Sequence, residues 1–247
     1  MESRVSPRPG PGCGPSGSPL QMLGDYTLPR YTIPAMRVLI TAGPTREPID
    51  PVRFVGNRSS GLMGKALTDA ALKAGHSVTL ILGPVTTPMP ENALRIDVET
   101  SKEMHDAVLT AFPKHDLLIM SAAVADYRPK TVKNEKVERG GTLVVEFEPT
   151  EDIVADAGKI KRPDQRTIGF SLVKRGDLGR SMEKLVRKHL DLIVYNSFEV
   201  MGSKTITSVL LWPDGHTEEL PSRSKGQFAD ILLQRAVELF EQPPRAK

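Results

Sequence analysis

The apolar pattern of this chain predicts an α/β fold, a doubly wound and mostly parallel sheet that ends in a late antiparallel hairpin. Three observations carry that prediction. Strand-length apolar runs alternate with stretches of helical periodicity from residue 36 onward, which implies βαβ units. Gly75 stands where a helix should stop, directly behind Lys73 and Ala74. The turn Trp212-Pro-Asp-Gly-His216 comes late and joins two runs directly, as a hairpin does.

Taken in order, strands are expected at 37–42, 77–82, 94–98, 116–122, 143–147, 166–170, 192–196 and 207–212, with a last one at 217–220. Helices are expected at 60–74, 101–112, 151–160, 178–189 and 224–241, where apolar residues recur at helical spacing. Sheets of this kind bind ligands outside the carboxyl ends of their strands, near the point where the strand order reverses. Residues 1–35 read differently. They are rich in Pro, Gly and Ser and bury too little to offset their ordering entropy, so a disordered tail is expected. Met36 directly precedes the first strand, so the tail is expected to be dispensable and the folded domain to run from 36 to 242.

The totals exclude several classes. At 247 residues, 39% apolar and 26% charged, the chain can bury one sizeable core. A net charge of +3 with scattered Lys and Arg and 5% aromatics fits small anions and is no nucleic-acid stripe. Cys13 is the single cysteine and lies in the tail, which argues against disulfides, cysteine-zinc sites and a cysteine nucleophile. His76, His105, His115, His189 and His216 lack metal-ligand spacing. No apolar run reaches about 18 residues and no signal-peptide core is present, so a soluble cytoplasmic protein without membrane contact is expected.

Three loops that leave strand ends carry the residues able to do chemistry. The first, GPTREPIDPVRFVGNRSSGLMGKAL at 43–67, joins a strand to a helix expected to begin near Ser59 and Ser60. A helix start favours an anion through its unpaired N–H groups and its dipole. Asn57, Arg58, Ser59, Ser60 and Gly61 therefore read as a phosphate or carboxylate clamp; the same residues also serve as a plain N-cap and turn, but the loop is long for capping alone. Neither G-x-x-x-x-G-K-[ST] nor G-x-G-x-x-G is present. The second loop, SAAVADYRP at 121–129, ends a strand in small Ala122 and Ala123 and places Asp126 to hold a metal or a ribose hydroxyl, or merely to close a turn. The third is the charged excursion 127–142, whose Lys130, Lys133, Lys136 and Arg139 are candidates to neutralise phosphoryl charge; most of them read equally as solvated charges.

Together these loops resemble the phosphopantothenoylcysteine synthetase family. The resemblance runs from about residue 36 to 241 and rests on ITAGPTREPIDPVRFVGNRSSGLMG, on SAAVADYRP followed by NEKVERG, and on IGF and LDLIVYNSF. It implies a Rossmann-like sheet and a homodimer. It also implies ligation of cysteine to 4′-phosphopantothenate with Mg²⁺ and a nucleoside triphosphate, CTP rather than ATP. In that reaction the substrate carboxylate attacks the α-phosphate, pyrophosphate leaves, and the cysteine amine attacks the acyl-nucleotidylate. Bacterial members are often fused behind a flavin-dependent decarboxylase. That module is absent here, so a stand-alone synthetase that works with a separate phosphopantothenoylcysteine decarboxylase is expected.

Carried over by motif, Asn57 matches the asparagine that holds the acyl-nucleotidylate and Lys136 the lysine needed to form it. Ala122, Ala123 and Asp126 match the nucleotide-side strand end, with Asp126 beside the triphosphate and its Mg²⁺. Phe170 matches the aromatic bordering the base. Gly43, Pro44, Thr45, Ser59, Ser60 and Gly61 match the rest of the cradle, with Arg58 beside it. Lys184 and Lys188, four residues apart on one helix face, match basic positions before the LDLI strand and read otherwise as a solvated face. The chain departs from the family at Val137-Glu138-Arg139, where Ile-Lys-Lys is usual, at Val173-Lys174, where an acidic residue is usual, and at Gly202-Ser203-Lys204 in place of Gly-Ser-Asp. Two rivals remain. An NAD(P)-dependent short-chain reductase needs Tyr-x-x-x-Lys, whereas Tyr26, Tyr31, Tyr127 and Tyr195 are followed four residues on by Arg30, Ala35, Thr131 and Glu199. An inactive nucleotide-binding homologue is the other, since Glu138 reverses a charge next to Val137 and Lys136.

Overall fold

The computed structural model describes residues 35–173, 178–197 and 205–241. The tail at 1–34, Lys174 and the Gly202-Ser203-Lys204 departure lie outside those residues. In chain order the strands are β1 (Arg37–Ala42), β2 (Arg46–Pro48), β3 (Phe54–Gly56), β4 (Ser77–Leu82), β5 (Leu94–Asp97), β6 (Leu117–Met120), β7 (Tyr127–Pro129), β8 (Phe147–Pro149), β9 (Arg166–Val173), β10 (Leu192–Ser197), β11 (Thr205–Leu211) and β12 (Thr217–Ser224). The α-helices are α1 (Leu62–Lys73), α2 (Ser101–Ala111), α3 (Ile153–Ile160), α4 (Leu178–Arg187) and α5 (Lys225–Glu241).

An eight-stranded sheet runs in the order β12-β11-β10-β9-β6-β1-β4-β5. All pairings from β5 across to β10 are parallel, and β11 and β12 add an antiparallel hairpin at the edge. Numbered by first appearance, the parallel strands follow the order 3-2-1-4-5-6, which is that of a Rossmann sheet. The expected doubly wound fold with its late hairpin is therefore the one observed.

Alternation along β1 assigns the layers. Val38, Ile40 and Ala42 bury into a cluster with Leu67 and Ala71 of α1 and Phe228, Leu232 and Ala236 of α5. Leu39 points the other way, to Met104, Val108 and Phe112 of the α2 side and Ile153 and Ala157 of α3. Strand β6 is buried along its whole length, which is why LLIM reads as a continuous apolar run. Local chemistry sets the helix ends. Thr100 and Glu103 form a reciprocal capping box at the start of α2, and Asp152 accepts from the Ala155 N–H at the start of α3.

One expected element is corrected. Residues 143–147 form no strand of the main sheet: Leu143 and Val144 are exposed, and Phe147–Pro149 instead pairs with Tyr127–Pro129 as a separate ribbon. Its apolar run mimics a buried strand, but the segment stays on the surface and leads into one arm of this ribbon. A second small ribbon, β2 with β3, lies inside the first loop.

Candidate active site

The strand order reverses between β1 and β6, so the carboxyl ends of these two strands frame the crevice where such sheets bind ligands. The loops leaving them continue the pairing. The Ala123 N–H donates to the Gly43 carbonyl at 2.8 Å, the Thr45 N–H to the Ala123 carbonyl at 3.3 Å, and the Ala125 N–H to the Thr45 hydroxyl at 2.9 Å. Below them the Ser121 hydroxyl donates to the Thr41 carbonyl at 2.6 Å. Gly43 has a φ of 78°, and a Cβ there would stand 2.9 Å from the Gly83 carbonyl oxygen, so glycine is required for the turn. Gly43, Pro44 and Thr45 are themselves buried and form the floor of the crevice.

Asn57 completes this frame. Its side-chain amide donates to the Val124 carbonyl at 2.7 Å and faces the Ala123 carbonyl at 3.5 Å. Only the NH₂ end can meet two carbonyls, so this contact fixes the orientation of the amide and leaves Oδ1 directed elsewhere. Asn57, Ala122 and Ala123, separated widely in sequence, are thus brought together.

The helix that follows starts later than expected. Its N-cap is Gly61, with a φ of 74° and no side-chain cap, so α1 begins at Leu62 rather than near Ser59 and Ser60. The Ser59 hydroxyl accepts from the Gly61 N–H at 3.4 Å, and the Ser60 carbonyl accepts from the Thr87 hydroxyl at 2.6 Å. The serines thus shape the turn, and no side chain occupies the N-cap position of the first helical turn. Gly64 lets α1 lie against the strand end, because a Cβ there would meet that of Ala42 at 2.2 Å. Arg58 is exposed beside this turn.

The remaining predicted residues fall at various distances from the crevice. Asp126 is exposed just past Ala125, and its backbone carbonyl accepts from the Thr150 N–H at 3.0 Å. Phe170 follows Gly169, the partner of Met120, and so lies at the same end of the sheet; its ring meets Phe228 edge-on at 6.4 Å. Lys136 is exposed on the excursion between β7 and β8, which is tied to the first loop by the Lys133 N–H donating to the Ile49 carbonyl at 2.9 Å. Lys188 is engaged elsewhere, in an ion pair with Asp152 at 2.9 Å. Lys184 lines a shallow surface depression on α4 with Arg180 and Arg187.

The chain's sequence from residue 34 to 239 matches the family model of the DNA/pantothenate metabolism flavoprotein C-terminal domain, DFP. The chain belongs to this family. It is 42% identical over 209 residues to a cysteine/cysteine sulfinic acid decarboxylase of an unidentified prokaryote, covering 82% of this chain and 58% of that protein. It is also 42% identical over 204 residues to the coenzyme A biosynthesis bifunctional protein CoaBC of Vibrio cholerae, covering 80% and 51%. The crystal structure of the C-terminal domain of a CoaBC protein superposes with a TM-score of 0.73 at 36% identity, covering 83% of this chain and 96% of that one. The DFP chain thus spans about half the length of the curated relatives it matches.

Two DFP residues escaped the sequence reading. Asn196 Oδ1 is buried at the carboxyl end of β10 with no hydrogen-bond partner among the described residues, opposite Ser208, whose hydroxyl likewise has none among them. An orphaned buried acceptor costs about 1–3 kcal/mol, a cost that a ligand donor reaching the end of β10 would remove. The signal was available: Asn196 interrupts an apolar strand on the face shared by Leu192 and Val194. The other is Asp50, treated below.

Proposed function

We propose that this DFP domain is a phosphopantothenate–cysteine ligase. It joins cysteine to 4′-phosphopantothenate through an acyl-nucleotidylate, prefers CTP to ATP, and acts in the cytoplasm in coenzyme A synthesis. The observation that carries this reading is the meeting of Asn57 with the Ala123–Val124 backbone at the switch point, beside an α1 start that no side chain caps. A carboxylate is a poor electrophile until one of its oxygens becomes a leaving group. The site therefore has to hold a carboxylate against an α-phosphate, neutralise charge and shelter the product for a second attack.

The chain's own residues suit those tasks. The first turn of α1 and the Ser59–Gly61 backbone favour phosphate oxygens. Ala122 and Ala123 leave room for the nucleotide against the strand end, with Phe170 near its base. Asn57, with its NH₂ turned to the Val124 and Ala123 carbonyls, offers Oδ1 to donors of the bound acyl-nucleotidylate. Lys136 supplies a mobile cation to the triphosphate. The carboxylate oxygen displaces pyrophosphate; the cysteine amine then forms the amide, and the nucleoside monophosphate leaves with the former carboxylate oxygen.

Asp126 fits a Mg²⁺ carried by the triphosphate, since that ion commonly takes only one or two protein carboxylates besides phosphates and waters. Among the described residues no cluster of three acidic, His or Cys ligands exists. When bound, Mg²⁺ neutralises phosphate charge.

Isotopic labelling tests the route. With ¹⁸O in the 4′-phosphopantothenate carboxylate, the label is expected in the nucleoside monophosphate, and CTP is expected to support more product than ATP. Label appearing in inorganic phosphate would refute the acyl-nucleotidylate.

A homodimer belongs to the same reading. Val52, Phe54 and Val55 of the first loop, and Tyr127, Val132, Leu143, Val144 and Phe147 of the β7–β8 ribbon and its excursion, are large apolar side chains left exposed. Such a concentration marks an interaction surface. Sedimentation should give twice the chain mass, and a Phe54→Glu/Val144→Glu variant should sediment as a monomer; a wild-type monomer at micromolar concentration would contradict this. The partner decarboxylase and the absence of nucleic-acid contact are part of the proposal. Among the described residues no helix is long and apolar enough to cross a membrane.

A further inference from the structure

Asp50 lies in the turn between β2 and β3, yet its side chain is fully shielded from solvent. Its two oxygens do different things. Oδ1 accepts from the Val52 and Arg53 N–H groups, each at 2.8 Å, and so closes its own turn. Oδ2 reaches 87 residues along the chain to accept from the Val137 N–H at 3.1 Å, and also pairs with the Arg53 guanidinium at 3.2 Å. Arg53 then donates back to the Val137 carbonyl at 2.8 Å. Both backbone polar groups of Val137, the neighbour of Lys136, are therefore held by residues of the first loop. Burial pushes the Asp50 carboxyl up, but the N–H groups of Val52, Val137 and Arg53, together with the Arg53 charge, outweigh it and hold the group below its usual range.

Apart from the Lys133 N–H to Ile49 carbonyl contact and the Lys130–Glu146 pairing at its base, the excursion has little else to define it. Residues 130–136 and 138–144 are exposed, and no helix or strand occurs between Pro129 and Phe147. On the other side, β2 and β3 run back from Asp50 to the Arg46–Gly56 pair, next to Asn57. The Asp50 carboxylate, with Arg53 and the Lys133–Ile49 backbone contact, thus links the segment bearing Lys136 to the segment bearing Asn57, and among the described residues it alone accepts from the Val137 N–H.

We propose that Asp50 is a positioning residue that sets Lys136 against the triphosphate by clasping Val137 to the first loop. The proposal rests on the reading of Lys136 given above. The clasp uses only backbone atoms at position 137, so the Val137 departure leaves it unchanged.

Asp50→Asn is the selective test. Its Oδ1 still serves Val52 and Arg53, whereas its NH₂ cannot accept from Val137 and opposes the guanidinium. Pyrophosphate release without cysteine is expected to fall roughly tenfold to a hundredfold in kcat. The KM for cysteine in the complete reaction should be unchanged, and amide exchange at 132–139 should accelerate. Asp50→Ser keeps a turn-closing hydroxyl but cannot reach Val137, and should behave alike, which guards against a folding defect of one variant. On a Lys136→Ala background Asp50→Asn should cost nothing further. Wild-type release by Asp50→Asn while Lys136→Ala is impaired would overturn the clasp alone. Wild-type release by Lys136→Ala would overturn the reading of Lys136 and the clasp with it. An equal further loss on the Lys136→Ala background would mark Asp50 as merely structural and overturn the proposal.

Discussion

Replacing Lys136 by alanine is expected to lower pyrophosphate release in the absence of cysteine by about a hundredfold to a thousandfold. The Lys136 side chain is exposed, and among the described residues no carboxylate pairs with its ammonium, so its loss should leave the fold intact. Its charge matters when the triphosphate is in place, because a cation aimed at a departing pyrophosphate acts in the transition state more than on the bound substrate. The loss should therefore appear in kcat more than in the nucleotide KM. Rapid-quench measurement of pyrophosphate checks it, with melting temperature as the control. An unchanged rate would remove Lys136 from the chemistry. Glu138 and Arg139 share an open depression with Lys136 and Arg53, so a Glu138→Lys exchange in parallel reports whether the reversed charge slows this chain.

The second large effect concerns Asn57. Asn57→Asp places a carboxylate oxygen where an NH₂ now donates to the Val124 carbonyl at 2.7 Å and approaches that of Ala123. Acceptor would face acceptor, and the loop would have to draw away from the strand end. The half-reaction with cysteine is expected to slow by about a hundredfold, equivalent to roughly 2.7 kcal/mol of barrier. Pyrophosphate release should suffer less, so the acyl-nucleotidylate should accumulate and be visible by mass spectrometry of the quenched enzyme. Normal turnover without accumulation would show that Asn57 only closes a loop.

How much of this was legible in the sequence depends on how local the physics is. Strands buried on both faces, such as Leu117–Met120, are continuous apolar runs, and helices with caps such as Thr100 announce their starts. The parallel sheet and the edge hairpin could be read for that reason. The two three-residue ribbons could not: each carries proline, at Pro48, Pro129 and Pro149, and each holds its place through contacts rather than propensity. The run at 143–147 misled for the opposite reason, since an apolar run alone cannot tell a core strand from a surface left exposed.

The site shows the same division. Gly43, Asn57, Ala122 and Ala123 stand in motifs that local chemistry marks, and the fold joins them. Lys188 stood in a helical pair of lysines, but its partner is Asp152, which only the packing of α4 near the start of α3 reveals. Asp50 closes its own turn through Oδ1, a local contact. Its second oxygen depends on Val137, far along the chain, and no local pattern marks that contact.

Activation of a carboxylate by a nucleotide is the central claim, and release of pyrophosphate before cysteine is added tests it most directly. Purified protein mixed with 4′-phosphopantothenate, CTP and Mg²⁺ should release pyrophosphate in an amount near that of the active sites, stop, and resume only when cysteine is supplied; chelation of the metal should suppress both phases. No pyrophosphate with either CTP or ATP, with or without cysteine, would contradict the account.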